Sequence, residues 1–344
     1  MLRPSSTPPR DTSGPTAVSR AAVLRSLLVA LAGVSLSTPI VARAQESRLR
    51  VGHFPNVTHV QALVARNLER QGRPWFNAER LGRPVRVEWY VYNAGPSAME
   101  AVFAHAIDLT YVGPSPAINA FARSRGEEVR VVAGAVNGGS ALVVQGDSAL
   151  RQPADFRGKR IATPQLGNTQ DVNARAWLAA GGLRITQTGG DAQVLPTANP
   201  DQLALFQRRE IDAVWTVEPW VSRLEMEAGG RVLVEENDAV TTVLVSSVRM
   251  LNTDREMVHR FVAAHRELTD WIRQNSEEAQ RMVREELRAV FRAEVSPELV
   301  ARAWRRMTVT ADVAPAAFQE WLVNAQRAGF LRTLPDPSRL VEAP

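Results

Sequence analysis

Hydrophobic and polar positions along this chain repeat with two periods, and the period switches many times. Arg48-Leu49-Arg50-Val51-Gly52 alternates as a half-buried strand does, whereas Val57 to Arg70 carries its apolar residues at helical spacing. Val85 to Tyr92 is rich in Val, Trp and Tyr and predicts a strand. Asn93-Ala94-Gly95-Pro96-Ser97 is a turn, with Ser97 the expected N-cap of a helix from Ala98 to His105. A strand over Asp108 to Val112, a second turn at Gly113-Pro114-Ser115-Pro116, a helix to about Ser124 and a strand over Val129 to Val136 follow. Strands and helices joined by such short loops predict an α/β sheet with parallel strands.

Asn137-Gly138-Gly139-Ser140 interrupts this rhythm ahead of a strand at Ala141 to Gln145. Adjacent glycines tolerate the dihedral change of a hinge, so the first crossing between two lobes is expected here, with a plain hairpin turn as the alternative. A second α/β section runs from Lys159 to about Glu236. Arg160 to Thr163 reads as a strand, Pro164 to Gly167 as a turn, and Asn168-Thr169-Gln170-Asp171 as the opening of a helix. A strand near Val194, a helix from Pro200 to Arg208 and a strand from Asp212 to Val217 come next, then Pro219 in the expected first turn of another helix. The apolar run Val240 to Val248 is expected to carry the chain back. Arg255 to Phe291 has Met257, Phe261, Ala264, Leu268, Trp271 and Ile272 at helical spacing, Pro297 and Pro315 mark helix starts, and Gly329 marks a stop. The expected organisation is a signal peptide at 1–44, lobe 1 at 45–139, lobe 2 at 140–243, and a return to lobe 1 with C-terminal helices at 244–344.

Composition narrows the function. The chain has 344 residues, enough for two lobes with cores of their own. The net charge of +5 is misleading, because residues 1–44 hold five Arg and one Asp, leaving 36 basic against 35 acidic residues. A nearly neutral remainder does not point to nucleic acid or to a membrane surface. There is no cysteine, which excludes disulfides, thiolate metal sites and cysteine nucleophiles. Arg3, Arg10, Arg20 and Arg25 precede an apolar run from Ser26 to Ile40, and Ala42-Arg43-Ala44 has the small-x-small pattern of a cleavage site. The expected product begins at Gln45, exported by the general secretory route into a bacterial periplasm. An uncleaved anchor is the alternative, and a lipid anchor would need a cysteine.

The chemistry-bearing positions fall on four loops that follow predicted strands: His53 to Thr58, Gly113 to Pro116, Gly167 to Gln170 and Glu218 to Trp220. Open α/β sheets bind ligands at the carboxyl ends of their strands. A helix opening at Asn168 and Thr169 presents free N–H donors and a positive dipole end, suited to an anion. An ordinary capped helix explains the same residues, and Asp171 could satisfy those donors itself. Trp215 and Trp220 either wall a pocket or pack in the core. Glu218 would repel an anion, so it binds an amine, pairs with an arginine or caps its helix. His53 and His59 lack the spacing of a helical metal pair, and neither a nucleophile elbow nor a phosphate-binding Walker loop is present. Glu127-Glu128 and Glu235-Glu236 read as exposed loop charges.

Taken in order, LRVGHFPNVTHVQALVA, IDLTYVGPSPAINAF, FRGKRIATPQLGNTQDVNARAWL and IDAVWTVEPWVSRL make the chain resemble the periplasmic substrate-binding proteins of ABC importers for nitrate, sulfonates and taurine, over essentially the whole mature length. The resemblance implies a two-lobed periplasmic-binding-protein fold (type II), each lobe a mostly parallel sheet flanked by helices. It puts ligand contacts on Pro55, Asn56, Gly113, Pro114, Ser115, Asn168, Thr169, Gln170 and Glu218. It implies a monomer without cofactor, metal or catalytic residues that closes on a small oxyanion and delivers it to an inner-membrane permease with its ATPase. An aliphatic sulfonate or taurine is the expected ligand, with nitrate and bicarbonate open and a pyrimidine or thiamine precursor as the alternative. Pyrimidine-precursor synthases share the fold, but they depend on a cysteine-rich motif that this chain lacks. A receptor feeding a sensor kinase would look the same in sequence.

Overall fold

In a computed structural model the described residues are 47–342; the expected signal peptide, its cleavage site and Gln45 lie outside them. The chain runs β1 (Ser47–His53), α1 (Val60–Arg70), α2 (Ala78–Leu81), β2 (Val85–Val91), α3 (Gly95–Phe103), β3 (Leu109–Val112), α4 (Pro114–Arg123) and β4 (Val129–Gly138). It continues with β5 (Ser140–Gln145), β6 (Arg160–Thr163), α5 (Thr169–Ala180), a small hairpin of β7 (Ile185–Thr186) and β8 (Gly189–Gly190), β9 (Gln193–Pro196), α6 (Asn199–Gln207), β10 (Ala213–Val217), α7 (Trp220–Ala228) and β11 (Gly230–Glu236). The last part holds β12 (Val240–Ser247), α8 (Val248–Thr253), α9 (Arg255–Gln274), α10 (Ser276–Phe291), α11 (Pro297–Trp304), β13 (Met307–Val309) and α12 (Gln319–Arg327).

Two sheets form. One has the order β13-β4-β12-β3-β1-β2, the other β11-β5-β10-β6-β9. Strands β2, β1 and β3 are parallel, as are β9, β6 and β10, while β12 and β5 run against their neighbours. Each of these two strands adjoins one of the two crossings, and the short β13 is also antiparallel to β4. The chain leaves the first sheet between β4 and β5 through Gly138 and Gly139, both with φ near +70°, and returns between β11 and β12. A side chain at Gly138 would also strike the carbonyl oxygens of Arg306 and Asn237, so the crossing is glycine for space as well as for dihedral.

Each sheet is buried on both faces, as period-2 alternation between two apolar clusters shows. In the second sheet Ile161, Ala213 and Trp215 enter one cluster while Ala162 and Val214 enter the other. In the first, Val132 and Leu244 pack with Leu63, Phe261 and Met282, whereas Val131, Val243 and Val245 pack with Ile118 and Trp321. Val172 of α5 belongs to this last cluster, so the second sheet's helix packs on the C-terminal helices.

Three expectations are corrected. Helix α3 starts at Gly95, not Ala98, because Pro96 fits its first turn; Ala94 is the N-cap, and Ser97 is free to bond Gln165. The long C-terminal helix breaks at Asn275, whose φ of −120° leaves the helical region and whose Nδ2 bonds the carbonyl of Trp271. Pro219 is the N-cap of α7, after a cis Glu218–Pro219 bond, with Trp220 the first helical residue.

Candidate functional site

A small cavity of about 30 Å³ lies where strand ends of the two sheets meet. Asn56, Thr58 and His59 follow β1; Asn93, Ala94 and Gly95 follow β2; Gly113 and Pro116 follow β3. From the second sheet, Pro164, Asn168, Thr169 and Gln170 follow β6, Asn199 follows β9, and Val217 ends β10. Thr241 and Thr242 of β12 complete the wall. A space of this size holds a water or two, or a compact polyatomic headgroup.

Helix N-termini dominate the lining. The N-caps of α3, α4 and α5 are Ala94, Gly113 and Asn168, α6 begins at Asn199, and Asn56 caps the short 3-10 turn ahead of α1. Each such end leaves N–H groups without intrahelical acceptors and carries the positive end of the helix dipole. Only at α5 among these does a side chain cap: Asn168 Oδ1 accepts from the amide of Asp171. Gly113 sits so close to the other sheet's helix that a Cβ there would lie 2.2 Å from Thr169 Oγ1.

The side chains are turned as donors. Asn56 Oδ1 accepts from Trp220 Nε1 at 3.1 Å and Asn199 Oδ1 accepts from Thr216 Oγ1 at 3.1 Å, so in each amide the NH2 is what remains to offer. His59 Nδ1 accepts from the Phe54 amide, which puts the proton on Nε2, and burial keeps the ring neutral. The hydroxyls of Thr169 and Thr242 are buried without a partner, and each lines the cavity. Asn168 Nδ2 donates to Gln170 Oε1, and Gln170 Nε2 donates to Ser140 Oγ, so these two side chains hold one another in place. Among the described lining residues none is Asp, Glu, Lys or Arg. Neutral donors and dipoles of one sign form an environment for a small anion.

Of the positions singled out in the sequence, Asn56, Gly113, Asn168, Thr169 and Gln170 come together on this cavity. Pro55, Pro114, Ser115 and Glu218 are outside its lining. Ser115 is fully buried in the first turn of α4, with its hydroxyl unpartnered. Glu218 accepts from the Ser222 amide and hydroxyl and from Arg306 Nη1 at 3.3 Å; burial pushes its carboxyl up to about 7 against these contacts. It therefore caps α7 and pairs with an arginine, two of the three roles open to it. Trp215 packs in the core edge-on to Trp177, and Trp220 packs on Phe291. Asp171 accepts from Thr163 Oγ1 and the Gly167 amide and forms a buried pair with Arg175, so it shapes the loop and leaves the first amides of α5 alone.

Glu235 and Glu236 are not loop charges. Both lie on β11. Glu235 pairs with Arg306, and Glu236 receives Asn173 Nδ2 and Trp215 Nε1, with burial raising its carboxyl to about 7. His53 is buried and lowered to about 3, chiefly by burial, with Arg66 against its Nε2. Among the described residues no group of three His, Cys, Asp or Glu is placed to hold a metal, and no helix is long and apolar enough to cross a membrane.

Among the residues missed in the sequence are Asn93 to Gly95, Asn199, Thr241 and Thr242. The first two sites also follow strands, so the same topological rule would have reached them. The threonines carried no signal beyond being polar in an apolar strand.

The profile of the NMT1-like family matches residues 42–285. A putative aliphatic sulfonates-binding protein of Escherichia coli (strain K12) is 27% identical over 215 residues, 61% of this chain and 62% of that protein. The taurine-binding periplasmic protein of the same organism is 28% identical over 149 residues, 43% of this chain and 44% of that protein. The matched stretches thus span less than two thirds of these relatives. The structure of the alkanesulfonate-binding protein from Xanthomonas axonopodis pv. citri, bound to MOPS, superposes with a TM-score of 0.70 at 22% identity, covering 88% of this chain and all of the other.

Proposed function

The chain belongs to the NMT1-like family, and from that premise we propose that it is the exported solute-binding component of an ABC importer, taking a small oxyanion between its two lobes and handing it to a membrane permease. The carrying observation is the cavity walled by converging helix N-termini and donor-turned amides, with no charged side chain among its described lining residues. A permanent anion gains from those donors without a counter-ion. The protein works without catalysis: affinity that is higher in the closed form shifts the population towards it. The lobes divide at 45–139, 140–243 and 244–344, with bending at Gly138-Gly139.

An aliphatic sulfonate suits the site better than taurine. An ammonium group needs an acceptor, and the two carboxylates next in sequence to lining residues are committed outside the lining, Asp171 to Arg175 and Glu218 to Ser222 and Arg306. The test is a thermal-shift screen of the mature protein against methanesulfonate, taurine, nitrate, bicarbonate and pyrimidines, confirmed by calorimetry. A ligand at a hundredfold excess over its Kd adds about 2.7 kcal/mol of apparent stability. Methanesulfonate should raise the melting temperature; a response to pyrimidines alone would remove the oxyanion reading.

A further inference from the structure

One wall of the cavity is oriented from outside it. Asn56 is buried in the lining and stands as N-cap of the 3-10 turn Val57–His59 without bonding that turn's amides. Its Oδ1 instead accepts from Nε1 of Trp220, a buried residue that opens α7 and is not part of the lining. The indole is fixed in turn: its ring packs on Phe291 of α10 with centroids 5.4 Å apart, and the Arg223 guanidinium lies 4.9 Å over it. Two residues back, the Glu218 carbonyl accepts from the Val57 amide at 3.0 Å, and the Glu218 amide donates to the Gly139 carbonyl at 2.9 Å. Backbone bonds therefore tie the segment that carries Trp220 to the one that carries Asn56.

A side-chain amide can turn either end to a ligand, and its fixed partner decides which. Asn168 spends its NH2 on Gln170, and the Thr216 hydroxyl facing Asn199 can accept as well as donate. At Asn56 the choice is forced, because an indole N–H only donates. Turning the amide over would set Nδ2 against Nε1, two buried donors face to face. We propose that Trp220 is a specificity-determining positioning residue: by holding Asn56 Oδ1 it turns Asn56 Nδ2 to the cavity, so that the site takes a bare oxyanion and rejects a neutral ligand of the same shape that presents an N–H or O–H there. The proposal rests on the oxyanion reading above. Trp220 lies outside the lining and acts through Asn56 alone. A ligand donor at Asn56 needs the amide reversed, which leaves the indole N–H unpaired, a penalty equal to a factor of about 5–150 in affinity.

The experiment is competition calorimetry with methanesulfonate and with methanesulfonamide, in which an NH2 replaces one oxygen, on the mature protein, Trp220→Phe, Asn56→Ala and the double variant. Trp220→Phe keeps a ring on Phe291 and removes the donor. Asn56 can then turn Oδ1 to the sulfonamide, so Trp220→Phe should bind methanesulfonamide more tightly than the parent does, and the preference for sulfonate should narrow by about 5- to 150-fold. Loosened packing alone would weaken both ligands alike and leave the preference where it stood; that result overturns the proposal, as does no change in either affinity. In the Asn56→Ala background Trp220→Phe should leave the preference unchanged, and a shift there as large as in the parent background overturns action through Asn56. Should Trp220→Phe fail to fold, hydrogen exchange at the Trp220 indole of the parent decides: a proton protected with and without ligand supports a standing bond, and one that exchanges within minutes overturns it. Sulfonate binding with an unchanged preference in Trp220→Phe overturns the role of Trp220 alone. No binding of methanesulfonate or any other oxyanion to the parent overturns the oxyanion reading, and this inference with it.

Discussion

Replacing Gly113 by alanine tests whether the two lobes close on one another at the cavity. Gly113 has φ −71° and ψ 158°, a conformation alanine adopts freely, so the substitution acts only through what its methyl meets. That methyl would lie 2.2 Å from Thr169 Oγ1 and 3.3 Å from Thr169 Cβ. The first distance is more than about 1 Å inside ordinary contact. Relief requires either that Thr169 abandon the rotamer holding its hydroxyl in the cavity, or that the lobes stay apart by a comparable distance. Overpacking of this kind costs about 1–3 kcal/mol, which raises Kd about 5- to 150-fold. The ligand-free protein should melt no lower than the parent, because the lobes can part without unfolding. Calorimetry with the best sulfonate should be run on Gly113→Ala, Thr169→Ala and the double variant. Thr169→Ala alone loses one hydrogen bond to a charged group, about 1.5–3 kcal/mol. In the double variant the added methyl faces only the Cβ that alanine retains at 169, at a tight but tolerable distance. The double variant should then bind about as well as Thr169→Ala. Strictly additive losses would refute a contact between these two residues across the cleft.

Three further outcomes are expected. Thr242→Val keeps the shape of β12 but removes an unpartnered hydroxyl from the cavity wall, and should weaken oxyanion binding by about 1.5–3 kcal/mol in calorimetry while leaving the melting temperature of the free protein unchanged or higher. Arg306 reaches Glu218, Glu225 and Glu235 at 3.3, 2.7 and 2.8 Å; Arg306→Ala strands the buried Glu218 and should cost about 3 kcal/mol in urea unfolding at pH 8, so an unchanged midpoint would dismiss the cluster as a support of the hinge side. Glu236 has its carboxyl raised from 4.5 to about 7 by burial; the folded state therefore holds a proton that the unfolded state has released, and stability is fullest below pH 4.5 and lost as pH rises through 7. Glu236→Gln should remove up to about 3 kcal/mol of that decline between pH 5 and pH 8, leaving the share of Glu218, which titrates in the same sense; an undiminished slope in urea unfolding would contradict this.

Most elements were legible in type and order because the two hydrophobic periods are clean and glycine and proline punctuate them, but α2, β11 and β13 were not. Asn168 could be read as an N-cap from its place after a Gly turn, and the structure has its side chain accepting from Asp171. Helix starts failed where proline stands inside the first turn, as at Pro96, since a turn reading and a helix reading use the same residue there. The converging loops were legible from topology alone, because a strand's carboxyl end fixes where its loop must go. What could not be read were roles settled by distant partners. Glu218 takes its arginine from 88 positions away, and Glu235 from 71. Thr242 becomes a wall of the cavity only because β12 inserts between β3 and β4. Glu235 and Glu236 look alike in sequence, and only the alternation of β11 separates the one that meets Arg306 from the one that meets Trp215 and Asn173.

A crystal structure of the mature protein with methanesulfonate would decide the main point. The sulfonate oxygens should lie about 2.6–3.2 Å from Thr169 Oγ1 and Thr242 Oγ1, with the amides that open α4 and α5 turned towards them. A sulfonate found outside that cavity, or bound there chiefly by lysine or arginine side chains, would contradict a site built from helix ends and neutral donors.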